Sequence, residues 1–200
     1  MTSRDTFAWS AELAEQLSWH WQHLLRPRLV GLTDEEYFWE PVPGCWSVRR
    51  RGSGVAMEVG AGDHIIDFAL PEPDPPPVTT IAWRLGHLIV GVFGMRNATY
   101  FGGPATSYQS YDYPGTAQAA VDQLTAQVEH WLRGVRSLDD EGLTTACGEE
   151  GHEGDPMAAL VLHINRELFH HGAEVALLRD LFRARSTEPA TGPATGTLGG

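Results

Sequence analysis

The 200-residue chain contains no lysine, only two cysteines and no long apolar run. Its 14 basic residues are all arginines, and 26 acidic residues bring the formal net charge to −12. A chain of this charge repels phosphate backbones, and Arg49, Arg50 and Arg51 form its only local basic cluster. We therefore expect no nucleic-acid partner. The absence of lysine beside abundant alanine, glycine and proline is typical of a GC-rich coding sequence.

The scarcity of cysteine and of apolar runs limits the environment in which the protein works. Cys45 and Cys147 lie far apart without CxxC spacing, so we assign them neither a disulfide nor a metal. No apolar run reaches the length of about 18 residues that a membrane span needs, and the N-terminal stretch MTSRDTFAWS lacks the basic-then-apolar pattern of an export signal. We therefore expect a cytoplasmic protein without a membrane partner.

Helical periodicity dominates what is present. Apolar residues recur at helical spacing in four long segments, which are residues 7–26, 79–101, 116–138 and 156–183. Pro27 is expected to end the first helix, and Thr33 with Glu36 has the pattern of a capping box. The chain length suits one domain.

The segments between and after the helices differ in composition. Residues 52–77 contain β-branched stretches followed by a proline cluster, which indicates a decorated loop or a short hairpin between the first two long helices. Residues 186–200 are low in complexity and are predicted to be disordered. We therefore predict an all-α four-helix bundle in a single domain, residues 1–185.

The last long helix carries an ionisable stripe. One sector of about 100° contains His163, Glu167, His170, His171 and Glu174. Apolar residues, including Leu162, Phe169 and Val175, cover much of the remaining surface, so the stripe is expected to face the interior. Buried imidazoles and carboxylates cost several kcal/mol unless they find partners or a metal.

Glu167 and His171 are spaced one helical turn apart, and this spacing allows two interpretations. They form either a buried hydrogen bond without a metal or two ligands of one cation. His87, on the second long helix, is the candidate third ligand. Gly91 and Gly94 indicate either a close helix approach or space kept open beside His87.

The other histidines receive simpler assignments. His20 and His23 are expected at the surface or at its boundary. We expect His64, His130 and His152 to face solvent.

Several motifs resemble the DinB-like superfamily. They are the Trp-x3-His spacing from Trp83 to His87, the helix sequence HINRELFHHGAEVALLRD, the loop WEPVPGCWSV and the lead-in SLDDEGL. The similarity extends over about residues 7–184. It implies an up-down-down-up four-helix bundle with a divalent metal held by one residue of the second helix and an i, i+4 pair of the fourth.

Carried onto this chain, the resemblance implies His87, Glu167 and His171 as metal ligands. This His/Glu/His set is similar to the zinc site of mycothiol-dependent maleylpyruvate isomerases. His163 and Glu174 would orient the ligands, and His170 and Trp83 would line the pocket.

The chemistry implied by the resemblance is activation of a low-molecular-weight thiol. The expected cofactor is zinc, with nickel as the second choice, and the expected cosubstrate is mycothiol or a similar thiol. The protein would then be an S-transferase or isomerase that adds this thiol to a small electrophile. The alternatives are a metal-dependent hydrolase that uses the same site and a non-catalytic helical-bundle stress or binding protein. A homodimer is a further expectation.

Overall fold

The computed structural model describes residues 7–54 and 57–185 and is mostly helical. Helix α1 comprises Trp9–His20, continues through a π-helical segment at Trp21–Leu25 and ends with Arg26–Leu29. The short helix α2 is Asp34–Phe38. Helix α3 comprises Ile81–His87, a π-helical segment at Leu88–Gly94, and Met95–Tyr100. The mostly helical prediction is therefore confirmed.

Three further helices complete the described chain. Helix α4 is Ala117–Arg136, the short helix α5 is Asp140–Thr144, and α6 is Met157–Arg185. The tail at 186–200 lies outside the described residues.

Side-chain caps explain where several helices begin. Thr33 and Glu36 form the expected capping box at the start of α2. Thr80 and Thr116 accept hydrogen bonds from Trp83 and Ala119, which satisfies backbone N–H groups in the first turns of α3 and α4.

The expected end of the first helix at Pro27 is wrong. The helix widens into a π-helical turn, in which Arg26 N–H donates to Trp21 O, and then continues to Leu29. Pro27 follows directly after this turn. Proline lacks the N–H that a regular helix needs, and the change in hydrogen-bond pattern accommodates it without breaking the helix.

A small antiparallel hairpin lies between α1 and α3, but only its second strand falls within residues 52–77, where the hairpin was expected. Strand β1 is Val48–Arg50 and strand β2 is His64–Ile66, with Arg49 opposite Ile65. Asp67, after β2, accepts hydrogen bonds from Ser47 N at 2.9 Å and from Arg49 Nε at 2.7 Å. These bonds hold the hairpin closed near the start of α3.

Two histidines expected to face solvent are half-buried. His64 packs against Gly115, where a Cβ atom would overlap the imidazole ring. His130 donates from Nε2 to the Phe101 carbonyl at 3.0 Å and so satisfies an acceptor at the end of α3. His152, in contrast, is exposed as expected.

One hydrophobic core is shared by the four long helices. Leu17, Leu85, Trp131 and Ile164, one from each, are completely buried in it. Leu162 does not follow the expectation, because its side chain points outward and is about half exposed. Among the described residues, no helix is both long and apolar enough to cross a bilayer.

Candidate metal centre

Helices α3 and α6 bring together the three residues that the sequence singled out. His87 ends the first regular segment of α3, and Glu167 and His171 lie one turn apart on α6. One potential ligand atom of each residue lies within 4.8 Å of those of the other two. The contact between these helices therefore juxtaposes residues that are about 80 positions apart in the chain.

The orientation of His171 is determined by two carboxylates. Its Nε2 atom lies 3.2 Å from Glu167 Oε2, and its Nδ1 atom lies 2.7 Å from Glu174 Oε2. Both carboxylates can only accept a hydrogen bond, and the contact at Nδ1 is the shorter of the two, so we assign the proton of a neutral His171 to Nδ1, which donates to Glu174. The lone pair on Nε2 then faces Glu167, and the His87 ring lies 5.0 Å from the His171 ring between centroids.

Arg84 supports this arrangement from α3. Its Nε atom lies 2.9 Å from the same Glu174 oxygen, and its side chain is largely buried. The guanidinium pairs with Glu174 and holds it in position against His171. Sequence reasoning missed Arg84, although it lies one turn before His87 on the same helix.

His87 is held by an aromatic ring and a hydroxyl group. The Trp83 ring stacks on its imidazole with centroids 5.3 Å apart, and Tyr108 Oη lies 2.7 Å from its Nδ1. Burial lowers the pKa of His87 to about 3, with further lowering by His171 and the nearby arginines. The imidazole is therefore neutral at pH 7, which is the form that binds metals.

Gly91 creates the space for this hydroxyl. A Cβ atom at Gly91 would overlap Tyr108 Oη and would lie 3.2 Å from His87 Nδ1. The glycine therefore keeps room beside His87 that Tyr108 fills. Tyr108 was also missed, because nothing in its tyrosine-rich loop indicated which ring would turn inward.

The comparison with known families agrees with these positions. The DinB superfamily matches residues 16–175, a range that contains the three candidate ligands together with Arg84, Tyr108 and Glu174. The chain belongs to the DinB superfamily. No curated protein and no solved structure gives a significant match.

The remaining residues predicted for the site of this DinB-superfamily member lie at its edge. His163 Nδ1 is 3.9 Å from Glu167 Oε1 and accepts a hydrogen bond from Arg166. His170 is mostly exposed, and its Nε2 lies 3.4 Å from Glu174 Oε1. Both histidines therefore border the centre from the solvent side, and the expectation that the whole stripe faces the interior is wrong for them because they lie on the edge of α6 that the neighbouring helices do not cover.

A second set of potential ligands in this DinB-superfamily chain is His170, His171 and Glu174. It fits a metal less well, because His171 Nδ1 and Glu174 already bond to each other and Glu174 also pairs with Arg84. In the first set, both histidine Nδ1 atoms have partners outside the set, and the contact of His171 Nε2 is with Glu167, a member of the same set.

The donor set formed by His87, Glu167 and His171 suits a divalent cation. Two imidazoles and one carboxylate are typical zinc ligands, and tetrahedral ligands at about 2.0–2.2 Å from the ion lie roughly 3.4 Å apart. The observed separations reach that spacing with small side-chain movements. Charge also favours an ion, since Arg84 balances Glu174 and no arginine is paired with Glu167 among the described residues.

Proposed function

We propose that His87, Glu167 and His171 bind a divalent metal, with zinc as the first choice and nickel as the second. The observation that carries this proposal is that each of the two imidazoles has its own contact partner at Nδ1. Tyr108 contacts Nδ1 of His87 and Glu174 contacts Nδ1 of His171, which leaves the Nε2 atom of each ring to act as a ligand beside Glu167. Such outer hydrogen bonds orient ligating histidines in metal sites.

The proposal includes an up-down-down-up four-helix bundle. Leu13 contacts Asn165 and Arg28 contacts Ala176, which supports α1 and α6 running in the same direction. Contacts of α3 with α6 support opposite directions, since the pairs are Arg84 with Glu174 and His87 with His171. The pairs between α3 and α4, Phe93 with Trp131 and Phe101 with Gly134, support a parallel pair.

We further propose a thiol-dependent transferase or isomerase of the mycothiol type. A divalent ion with three protein ligands keeps an open position, and it lowers the pKa of a thiol or water that it takes up. The residues of the chain supply orientation: Glu174 and Arg84 hold His171, while Tyr108 and Trp83 hold His87. The electrophile would approach from the side on which His163 and His170 lie. The same residues would serve a hydrolase if water replaced the thiol.

One observation favours a non-catalytic binding protein as the second candidate. His171 Nε2 and Glu167 Oε2 are close enough for a direct hydrogen bond at 3.2 Å. With protons on both ring nitrogens, His171, the buried member of the stripe, would donate to Glu167 and Glu174 together, and its polar atoms would be satisfied without a metal.

Metal analysis separates these possibilities. The protein would be purified without an affinity tag or chelator, and zinc and nickel would be measured per chain in the parent, Glu167→Gln and His87→Ala. We expect about one ion per chain in the parent and loss of the ion in both variants. The control is His23→Ala, which removes an exposed histidine of α1 and should leave the content unchanged.

A parent protein that contains no metal and takes up no added zinc would exclude the metal-dependent proposals and leave the binding protein. If the metal is present, consumption of thiol with an electrophile such as 1-chloro-2,4-dinitrobenzene tests the transferase. Release of acid from ester or amide substrates without thiol tests the hydrolase.

A further inference from the structure

A groove of about 470 Å³ lies between the hairpin, the end of α2 and the segment before α4. All of strand β1, Val48–Arg50, lines it, and β2 contributes His64. The candidate metal ligands are not among its lining residues. Its volume falls within the roughly 300–1,000 Å³ that small-molecule sites occupy.

Two of the three consecutive arginines at the hairpin are engaged by groups of the protein itself. Arg49 donates to Glu40 Oε1 at 2.8 Å and to Asp67 Oδ2 at 2.7 Å. Arg51 pairs with Glu58 and also donates to two backbone carbonyls. These three carboxylates are therefore balanced by Arg49 and Arg51 and leave no charge for the arginine between them.

Arg50 is that middle arginine, and its guanidinium is exposed at the groove. Within residues 7–54 and 57–185, no carboxylate pairs with it. The turn after β1 brings Ser53 back to it, because Ser53 N–H donates to the Arg50 carbonyl at 3.2 Å. His64 lies directly opposite Arg50 in the hairpin.

These residues give the groove a set of hydrogen-bond donors without partners. Over the same described residues, the side chains of Arg50, Ser53 and His64 make no hydrogen bond, and all three line the groove. A guanidinium has a fork of N–H donors, a hydroxyl has one donor and a neutral imidazole has one. The groove therefore offers converging donors around one unbalanced positive charge.

A carboxylate is the group that matches this set. It accepts two parallel hydrogen bonds from a guanidinium, and its remaining lone pairs can accept from a hydroxyl and an imidazole N–H. Only the charge of Arg50 is unbalanced, and the Glu40 carboxylate lines the same groove. A ligand with one negative charge is therefore favoured over a ligand with two.

The rest of the wall is apolar. Phe38 at the end of α2 is half-buried, and Val48 is buried. Gly115 has no side chain, and a Cβ atom there would overlap the His64 ring. This part of the groove can therefore cover a hydrocarbon body and remove it from water.

We propose that this groove binds a small monocarboxylate with an apolar body. The carboxylate would pair with Arg50 and contact Ser53 and His64, and the body would lie against Phe38 and Val48. This second binding site is separate from the proposed metal centre and does not depend on its chemistry.

Amide NMR spectra of isotope-labelled protein test the site with benzoate as the probe. We expect benzoate to shift the amide signals of Arg50, Ser53 and Gly115. Benzamide has the same shape without the charge and should bind at least about fivefold more weakly. Phenyl phosphate, which carries a second charge, should also bind more weakly than benzoate.

Two arginine variants separate a specific site from a general effect of charge. Arg50 and Arg26 are both exposed and have no carboxylate partner in the described ranges, so glutamine at either position changes the net charge equally. We expect Arg50→Gln to weaken benzoate binding by about fivefold or more and benzamide binding by less than about twofold. Arg26→Gln should change neither. Equal weakening by the two variants would overturn the site.

The remaining outcomes also decide the proposal. Absence of any shift at about 10 mM benzoate would overturn it. Shifts confined to the surroundings of His87 and His171 would assign benzoate to the metal centre and would likewise overturn the groove. Tighter binding of phenyl phosphate than of benzoate would overturn the monocarboxylate class. None of these results bears on whether the centre binds a metal, which is measured separately.

Discussion

Arg179 and Glu36 form a bidentate ion pair inside the protein. Arg179 Nε lies 3.1 Å from Glu36 Oε1 and Arg179 Nη2 lies 2.9 Å from Glu36 Oε2, and the two residues are only 1% and 3% exposed. Glu36 also completes the capping box with Thr33. One carboxylate therefore caps α2 and ties that helix to the C-terminal part of α6.

Removing the charge of Glu36 should strongly destabilise the fold. We expect Glu36→Gln to lower the free energy of unfolding by about 3–5 kcal/mol, because it leaves the buried Arg179 guanidinium without its counter-ion. Urea denaturation followed by circular dichroism measures this loss. The matched control is Glu35→Gln, which breaks the exposed pair with Arg185 and should cost less than about 1 kcal/mol. Equal effects of the two substitutions would contradict the role of the buried pair.

The Glu36 carboxylate should also make the free energy of unfolding depend on pH. Burial raises the pKa of Glu36, but the Arg179 hydrogen bonds, the Thr33 N–H and the charge of Arg183 outweigh burial and lower it below the ordinary value of 4.5. Because the folded pKa is lower than the unfolded one, the stabilisation is complete above about pH 4.5 and is lost as the pH falls through the folded pKa.

Unfolding free energies measured between pH 7 and pH 3 test this linkage. We expect a smaller decrease in Glu36→Gln than in the parent, since the variant has no proton to bind at this position. Parallel pH profiles would show that other carboxylates cause the acid sensitivity.

Tyr108→Phe should weaken metal binding without unfolding the protein. It removes the hydroxyl that holds His87 Nδ1, and the loss of such an outer hydrogen bond lowers metal affinity by about 10–100-fold. Gly91→Ala should have a similar effect because its methyl group displaces Tyr108. Zinc titration against a chromophoric chelator measures both. Tyr111→Phe, which loses only a bond to Gln123, is the control.

Glu174→Gln should weaken metal binding through His171. A neutral amide at this position accepts the Nδ1 proton less strongly and no longer pairs with Arg84, so we expect an affinity loss of about tenfold. His170→Ala is the comparison, because this exposed side chain also contacts Glu174 and its removal should cost less than about twofold. A larger loss in His170→Ala would instead support the ligand set His170, His171 and Glu174.

Local sequence patterns predicted the helices, the capping box and the second strand of the hairpin, because periodicity, caps and β-branched stretches act over a few residues; the first strand, at Val48–Arg50, lies before the segment that was expected to form the hairpin. They were wrong at Pro27, where a change in helix type replaced the expected end. They were also wrong for His64 and His130, whose environments are Gly115 and the Phe101 carbonyl. Each of these contacts joins segments distant in the chain, which no local pattern reports.

The residues of the candidate centre, too, were only partly predictable from the sequence. The one-turn spacing of Glu167 and His171 was readable in the sequence, since helical geometry places such residues on one face. Their closeness to His87 was an expectation from bundle geometry and family resemblance, and the contact between α3 and α6 brings the three together. Whether they bind a metal stays a prediction.

By itself, then, the sequence determined the helical content, the absence of a net basic surface and the ionisable stripe of α6. These properties depend on composition and on residue spacing along single helices. Only the tertiary structure decided that Tyr108 turns toward His87, that Arg84 supports His171 through Glu174, and that Arg179 meets Glu36. The physical reason is that each buried polar group must find a partner, and the choice of partner depends on which distant segments the packed core brings within hydrogen-bond distance.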